Sequence, residues 1–343
     1  MPPSAPRLAR AMKYLLLDLN GTIHVGDTPT PGALAALERL QKASQGGEKF
    51  KVRFCSNSSK ESSSSLIARL RSMSFPAALI PPEDVFTSLD AARRLFASTS
   101  NGSAPLLLLS QSAQEPFQDL PGAFHAKADR LPSELNVEEQ QKLRACDAIV
   151  IGLAPGLMRY EWLDEAFRLL SGEYGSKTVR LIGTHRALYH RPGGKGKDGA
   201  QKQPLSLGPG AFLAALEEGA GLSRENTVTV GKPQWTFFEE CLKGMGWSSD
   251  AKVGANGKDE VWIVGDDATQ DLSILKAGPD SLPADLNIKR ALVKTGKYRD
   301  GDEGKVTPLE NQGAAEHNKL VVSESFAAWV DGFLSGQEDI AST

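Results

Sequence analysis

Four short stretches hold most of the residues able to do chemistry, and each follows an apolar run. The first is Asp18-Leu19-Asn20-Gly21-Thr22, directly after Tyr14 to Leu17. An acid there sits at the carboxyl end of a strand, where open α/β sheets place their reacting groups. The second is Ser56-Asn57-Ser58, between the run Lys51 to Cys55 and a helical pattern from Lys60. Hydroxyls, an amide and a helix N-terminus together can receive an anion. The third is Gly231-Lys232-Pro233 after Thr227 to Val230, whose ammonium can neutralise a phosphate or a pair of carboxylates. The fourth is Gly265-Asp266-Asp267 after Val261 to Val264, with Asp271 one turn later. Carboxylates this close repel one another unless a cation is bound, and hard oxygen ligands suit Mg²⁺. Each stretch also has an ordinary reading: a turn, a serine N-cap, a surface lysine, or loop acids capping a helix. Taken together the four weigh more, because all of them end strands.

The elements that must position them alternate short β-rich runs with longer helical patterns, which predicts an α/β fold with a parallel sheet wrapped by helices. Further strands are expected at Ala148 to Leu153, Val179 to Gly183 and Ala291 to Val293. Apolar spacings of three and four predict helices over Pro31 to Lys42, Lys60 to Ser72, Leu89 to Ser98, Leu157 to Leu170, Pro209 to Glu218, Trp235 to Lys243 and Ser323 to Leu334. The tracts Ser44 to Lys49, Gly193 to Gln203, Ser249 to Lys258 and Asp300 to Asn318 read as expanded surface loops. Gly193 to Gly199 lacks the Gly-Lys-Ser/Thr ending of a P-loop.

At 343 residues the chain can bury a large core and is expected to form two domains. A net charge of -3 gives no general attraction for nucleic acid or an anionic membrane, so the expected partner is a small molecule. Cys55, Cys146 and Cys241 form no CxxC pair, which predicts neither a disulfide framework nor a zinc site and fits the reducing cytoplasm. The apolar run around Leu106 to Leu109 is too short for a membrane helix, and the N-terminus has no secretory h-region.

The order Asp18-Leu19-Asn20-Gly21-Thr22, serine, Lys232, Gly265-Asp266-Asp267 resembles that of the haloacid dehalogenase superfamily. Arg53-Phe54, Asn57, Lys60-Glu61-Ser62, Val85 to Leu89, Ile151 to Pro155, Leu207 to Gly210 and Lys294 to Tyr298 extend the resemblance over nearly the whole chain after Lys13. It implies a Rossmann-like core with a C2-type α/β cap inserted between Ser56 and Lys232. The boundaries expected are 13–82 and 207–336 for the core and 83–206 for the cap, with flexible termini at 1–12 and 337–343.

The resemblance also implies a Mg²⁺-dependent hydrolase acting on a small phosphorylated molecule, and a homodimer through the cap. Asp18 is then the nucleophile, and Mg²⁺ is held by Asp18, Asp266 and the main-chain carbonyl of Asn20. Ser56, Asn57, Ser58 and Lys232 bind the phosphoryl oxygens, while Asp267 and Asp271 hold waters or orient Lys232. The cap segment Thr184 to His190 offers His185 and His190 to a substrate or to packing.

Asn20 departs from the superfamily's phosphatases, which carry a general acid there. Three readings follow: a phosphatase for substrates with good leaving groups, a dehalogenase or phosphonate hydrolase, or a phospho-ligand binding protein without turnover. Intact Asp266, Asp267 and Lys232 argue against metal-free dehalogenation.

Overall fold

The computed structural model describes residues 11–97, 103–175, 178–190, 204–223, 226–248, 259–274, 282–283, 286–309 and 320–336. The tracts expected as loops at Gly193 to Gln203 and Ser249 to Lys258 lie outside these residues, as do 1–10, 310–319 and 337–343. The chain divides into two compact units. One comprises residues up to Cys55, Met73–Val85 and Pro233 onward; the other comprises Ser56–Ser72 and Phe86–Lys232.

In the first unit the strands stand side by side in the order Leu320–Ser323, Leu286–Val293, Asp259–Gly265, Lys13–Asp18, Phe50–Ser56, Val85–Thr87. The first five pair in parallel. A sheet covered on both faces needs continuous apolar strands rather than alternating ones. Lys13–Asp18 meets that need, being buried from Tyr14 onward. The helix Ala33–Gln45 turns Ala33, Ala36, Leu37 and Leu40 inward and packs against Phe326–Ser335. From that second helix Trp329 and Phe333 reach Trp262 of the sheet, at ring separations of 5.7 and 6.1 Å. Ser325 begins the helix by accepting the Ala328 N–H, and Gly336 ends it in the left-handed region.

Two sequence expectations change here. The helix expected from Ser323 starts at Phe326, because Leu320–Ser323 is spent as the edge strand. The strand expected at Ala291 to Val293 begins at Leu286, its first half hidden by the polar Asn287, Lys289 and Arg290. Cys55 and Cys241, far apart in sequence, bring their sulfurs to 3.4 Å as free thiols.

The second unit holds a five-stranded parallel sheet in the order Val228–Thr229, Arg180–Gly183, Ala148–Ile151, Pro105–Leu108, Phe124–His125. Trp162, Ala166 and Leu169 of the helix Tyr160–Leu170 share one core with Leu181, Leu213 and Leu216. That packing corrects the expected end of the cap at residue 206. Residues 207–232 belong with the cap, since Val228–Thr229 pairs with Arg180–Gly183 and the helix Pro209–Gly219 buries its apolar face in the cap's core. A strand at Pro105–Leu108 and a helix at Val137–Arg144, capped reciprocally by Asn136 and Glu139, were not expected. No helix among the described residues is long and apolar enough to cross a membrane.

Candidate active site

Asp18 is the last residue of its strand, and Asp266 follows directly on the last residue of the neighbouring one. The register sets Leu17 beside Val264, so the two acids emerge together at the carboxyl edge. Asp271 arrives from the turn that follows, where its Oδ2 accepts the Asp267 N–H at 3.1 Å. Asp18, Asp266 and Asp271 each bring a carboxylate oxygen within 4.8 Å of the others, and all three residues are buried.

Two glycines make room for this cluster. Gly21 at φ 114° and Gly296 at φ 54° both lie in the left-handed half of the map. A Cβ on either would overlap the Asp266 carboxylate. The two loops are joined where the Thr295 hydroxyl donates to the Gly21 carbonyl at 2.5 Å. Lys297 then closes over the acids, its main-chain N–H donating to Asp266 Oδ2 at 2.6 Å and its ammonium to Asp267 Oδ2 at 3.1 Å.

Burial, then Asp18, then Asp271 push the Asp266 carboxyl well above the ordinary carboxylate range. Burial alone would also raise Asp267, but Lys297 and hydrogen bonds from Gln270 and Thr269 hold it below its usual value. Burial would lower the Lys297 ammonium, and the combined field of Asp267, Asp266 and Asp271 raises it instead. The cluster is built of carboxylates alone, without histidine or cysteine. That donor set fits a hard divalent cation such as Mg²⁺.

The two acids grouped together by sequence are separated here. Asp271 joins Asp18 and Asp266, whereas Asp267 turns to cap its own turn, Oδ1 accepting from the Thr269 and Gln270 N–H groups at 3.1 and 3.0 Å. Asn20 is exposed, and its side-chain oxygen accepts the Gly26 N–H at 3.3 Å.

The expected anion-binding residues lie in the second unit, in a segment wired by hydrogen bonds. Asn57 accepts the Lys232 N–H and donates to the Lys232 carbonyl, both at 2.9 Å, so its side chain pairs with that residue as a neighbouring strand would. Asn57 therefore positions Lys232, whose own side chain is only 2% exposed. Ser56 Oγ accepts the Ser58 N–H at 3.1 Å, and the Ser58 hydroxyl donates to Glu61 at 3.4 Å.

His185 is buried, with Nδ1 accepting the Ala187 N–H at 3.3 Å. Its proton is then on Nε2, which faces Ser59 Oγ at 3.1 Å as a donor. The same Ser59 hydroxyl oxygen accepts the Leu153 N–H at 3.0 Å, so the pair ties two loops of this unit together. His190 stands in a short hairpin opposite Ser206.

Residues 15–120 match the family described as haloacid dehalogenase-like hydrolase. The human haloacid dehalogenase-like hydrolase domain-containing protein 2 is 36% identical over 87% of this chain and 90% of its own length. Human phospholysine phosphohistidine inorganic pyrophosphate phosphatase is 24% identical over 88% and 90%. Among solved structures, the p-nitrophenyl phosphatase from Archaeoglobus fulgidus superposes with a TM-score of 0.64 at 20% identity, covering 94% of this chain and all of the other.

Proposed function

Because the chain belongs to the haloacid dehalogenase-like hydrolases, we propose that it is a Mg²⁺-dependent phosphatase that forms an aspartyl-phosphate on Asp18 and favours substrates whose leaving group departs unprotonated. The observation that carries this reading is the buried triad Asp18, Asp266 and Asp271 at the carboxyl edge of a parallel sheet.

A carboxylate oxygen of Asp18 attacks phosphorus while the bond to the leaving oxygen or nitrogen breaks, its electron pair going with the leaving group. Water then attacks the phosphorus of the aspartyl-phosphate, releasing phosphate and restoring Asp18. Asp18, Asp266, Asp271 and the main-chain carbonyl of Asn20 are the groups that would hold Mg²⁺. When bound, the ion supplies the positive charge that lets an anionic nucleophile meet an anionic phosphoryl group. Ser56, next after the register partner of Asp18, contributes a hydroxyl donor for the phosphoryl oxygens, so the catalysis is chiefly positioning and charge stabilisation.

Asn20 decides the substrate class. A carboxamide neither donates a proton to a leaving oxygen nor activates water, and losing that function costs a factor on the order of 100 to 10,000. Acyl phosphates, pyrophosphate and phosphoramidates suffer least, and the name of the phospholysine phosphohistidine inorganic pyrophosphate phosphatase relative points to the same class.

The test is phosphate release from acetyl phosphate, pyrophosphate, phosphohistidine and sugar phosphates, with Mg²⁺ and with chelator. Turnover of the first three, abolished by chelator, is the expected result. No turnover of any substrate would leave a phospho-ligand binding protein as the better account.

A further inference from the structure

Lys297 lies outside the four stretches that drew attention in the sequence, yet it touches two consecutive acids of the site. Its geometry is held from both sides. Thr295 anchors the loop to the Gly21 carbonyl, and Gly296 brings the backbone against Asp266 where no side chain fits. Asp266 Oδ2 accepts a main-chain hydrogen bond from Lys297 at 2.6 Å, which fixes the orientation of that carboxylate. The ammonium meanwhile holds Asp267 Oδ2 at 3.1 Å, so this fourth acid is tied back beside the three-carboxylate cluster.

We propose that Lys297 is a positioning residue that acts as a resident counter-charge: it keeps Asp267 out of the cation site and weakens the site's hold on a divalent ion. The inference rests on the reading of Asp18, Asp266 and Asp271 as that site. A fixed positive charge beside a cluster of acids opposes the arrival of a second cation. It also supports the metal-free fold, where four neighbouring carboxylates would otherwise repel. A site that binds its ion less tightly releases it more readily, and a tied Asp267 keeps the number of protein ligands down.

The test is Mn²⁺ binding to the full chain, read by electron paramagnetic resonance of the free ion, with Mg²⁺ as competitor and no substrate present. Lys297→Met should lower Kd for both ions by about 3- to 10-fold, and Lys297→Arg, which keeps the charge, should restore it to near the wild-type value. A residue with a merely structural role would weaken binding when removed. Unchanged or weaker binding in Lys297→Met, or an arginine variant that behaves like the methionine one, overturns the proposal. Should Lys297→Met fail to fold, Asp267→Asn gives the second reading. It frees the ammonium's charge, so Kd should rise at least threefold, and an unchanged Kd counts against the proposal. A wild-type chain that binds neither ion dismisses the cation site itself, before any variant is made.

Discussion

The acidic edge of the first unit and the donor segment of the second are prepared in opposite ways. At the acidic edge three buried carboxylates stand within 4.8 Å of one another, and burial with the neighbouring acids pushes the Asp266 carboxyl well above its ordinary range. In the donor segment Asn57 pairs with the Lys232 main chain at 2.9 Å, Ser56 accepts the Ser58 N–H at 3.1 Å, and the Ser58 hydroxyl donates to Glu61 at 3.4 Å. One half stores repulsion and the other stores order. Ligand removal and point substitution should therefore affect them differently.

The largest expected effect is at Asp18, the proposed nucleophile. Asp18→Asn should reduce Mg²⁺-dependent phosphate release at least about a thousandfold with an unchanged circular dichroism spectrum, since an amide cannot replace the attacking carboxylate. Retained turnover would break the acidic half of the comparison. Asn20→Asp comes next. The Asp carboxylate can still accept the Gly26 N–H, so the fold should tolerate it. Hydrolysis of sugar phosphates should then rise about 10- to 100-fold relative to acetyl phosphate, because only an alkoxide needs a proton from the enzyme. An equal rise for both substrates would show that the substitution acts through phosphate or metal binding.

On the donor side, Asn57→Ala leaves the Lys232 N–H and carbonyl without their partner. It should cost about 1 to 3 kcal/mol of stability in urea denaturation and raise KM more than it lowers kcat. A loss confined to kcat would place Asn57 on the reacting atoms instead.

The smallest effect is on pH dependence. Burial and two neighbouring acids raise the folded-state Asp266 carboxyl above its unfolded value, so between the two values the folded chain holds a proton that the unfolded chain has lost. The slope of stability with pH is then negative: metal-free protein should lose melting temperature as pH rises above the ordinary carboxylate range. Saturating Mg²⁺ should flatten that fall, and identical curves with and without the ion would remove the stored repulsion from the account.

What the sequence disclosed follows the same division. The adjacency of Asp18 and Asp266 was legible because each ends or follows an apolar strand, and a parallel sheet delivers such residues to one edge, whereas Lys232 follows a strand of the five-stranded sheet. The division of labour between Asp267 and Asp271 was not, since it depends on which side of one turn each carboxylate faces. Lys297 was visible only as part of a motif, because its partners lie 30 and 31 residues away in sequence. The cap's end at Lys232 was hidden for a related reason. The helix Pro209–Gly219 was readable from its spacing, but spacing does not say which of two cores its leucines enter.

The reciprocal pairing of Asn57 with Lys232 bridges a sequence separation of 175 residues. Closing a loop of that length in a disordered chain costs roughly 4 to 5 kcal/mol of entropy. Two hydrogen bonds return about 1 to 3 kcal/mol net, too little to draw the ends together unaided. The pairing therefore depends on the strands that precede each partner, Phe50–Ser56 for Asn57 and Val228–Thr229 for Lys232, to hold the ends in reach. Seating of Lys232 is thus expected late in folding, a dependence that hydrogen exchange at the Lys232 amide would register.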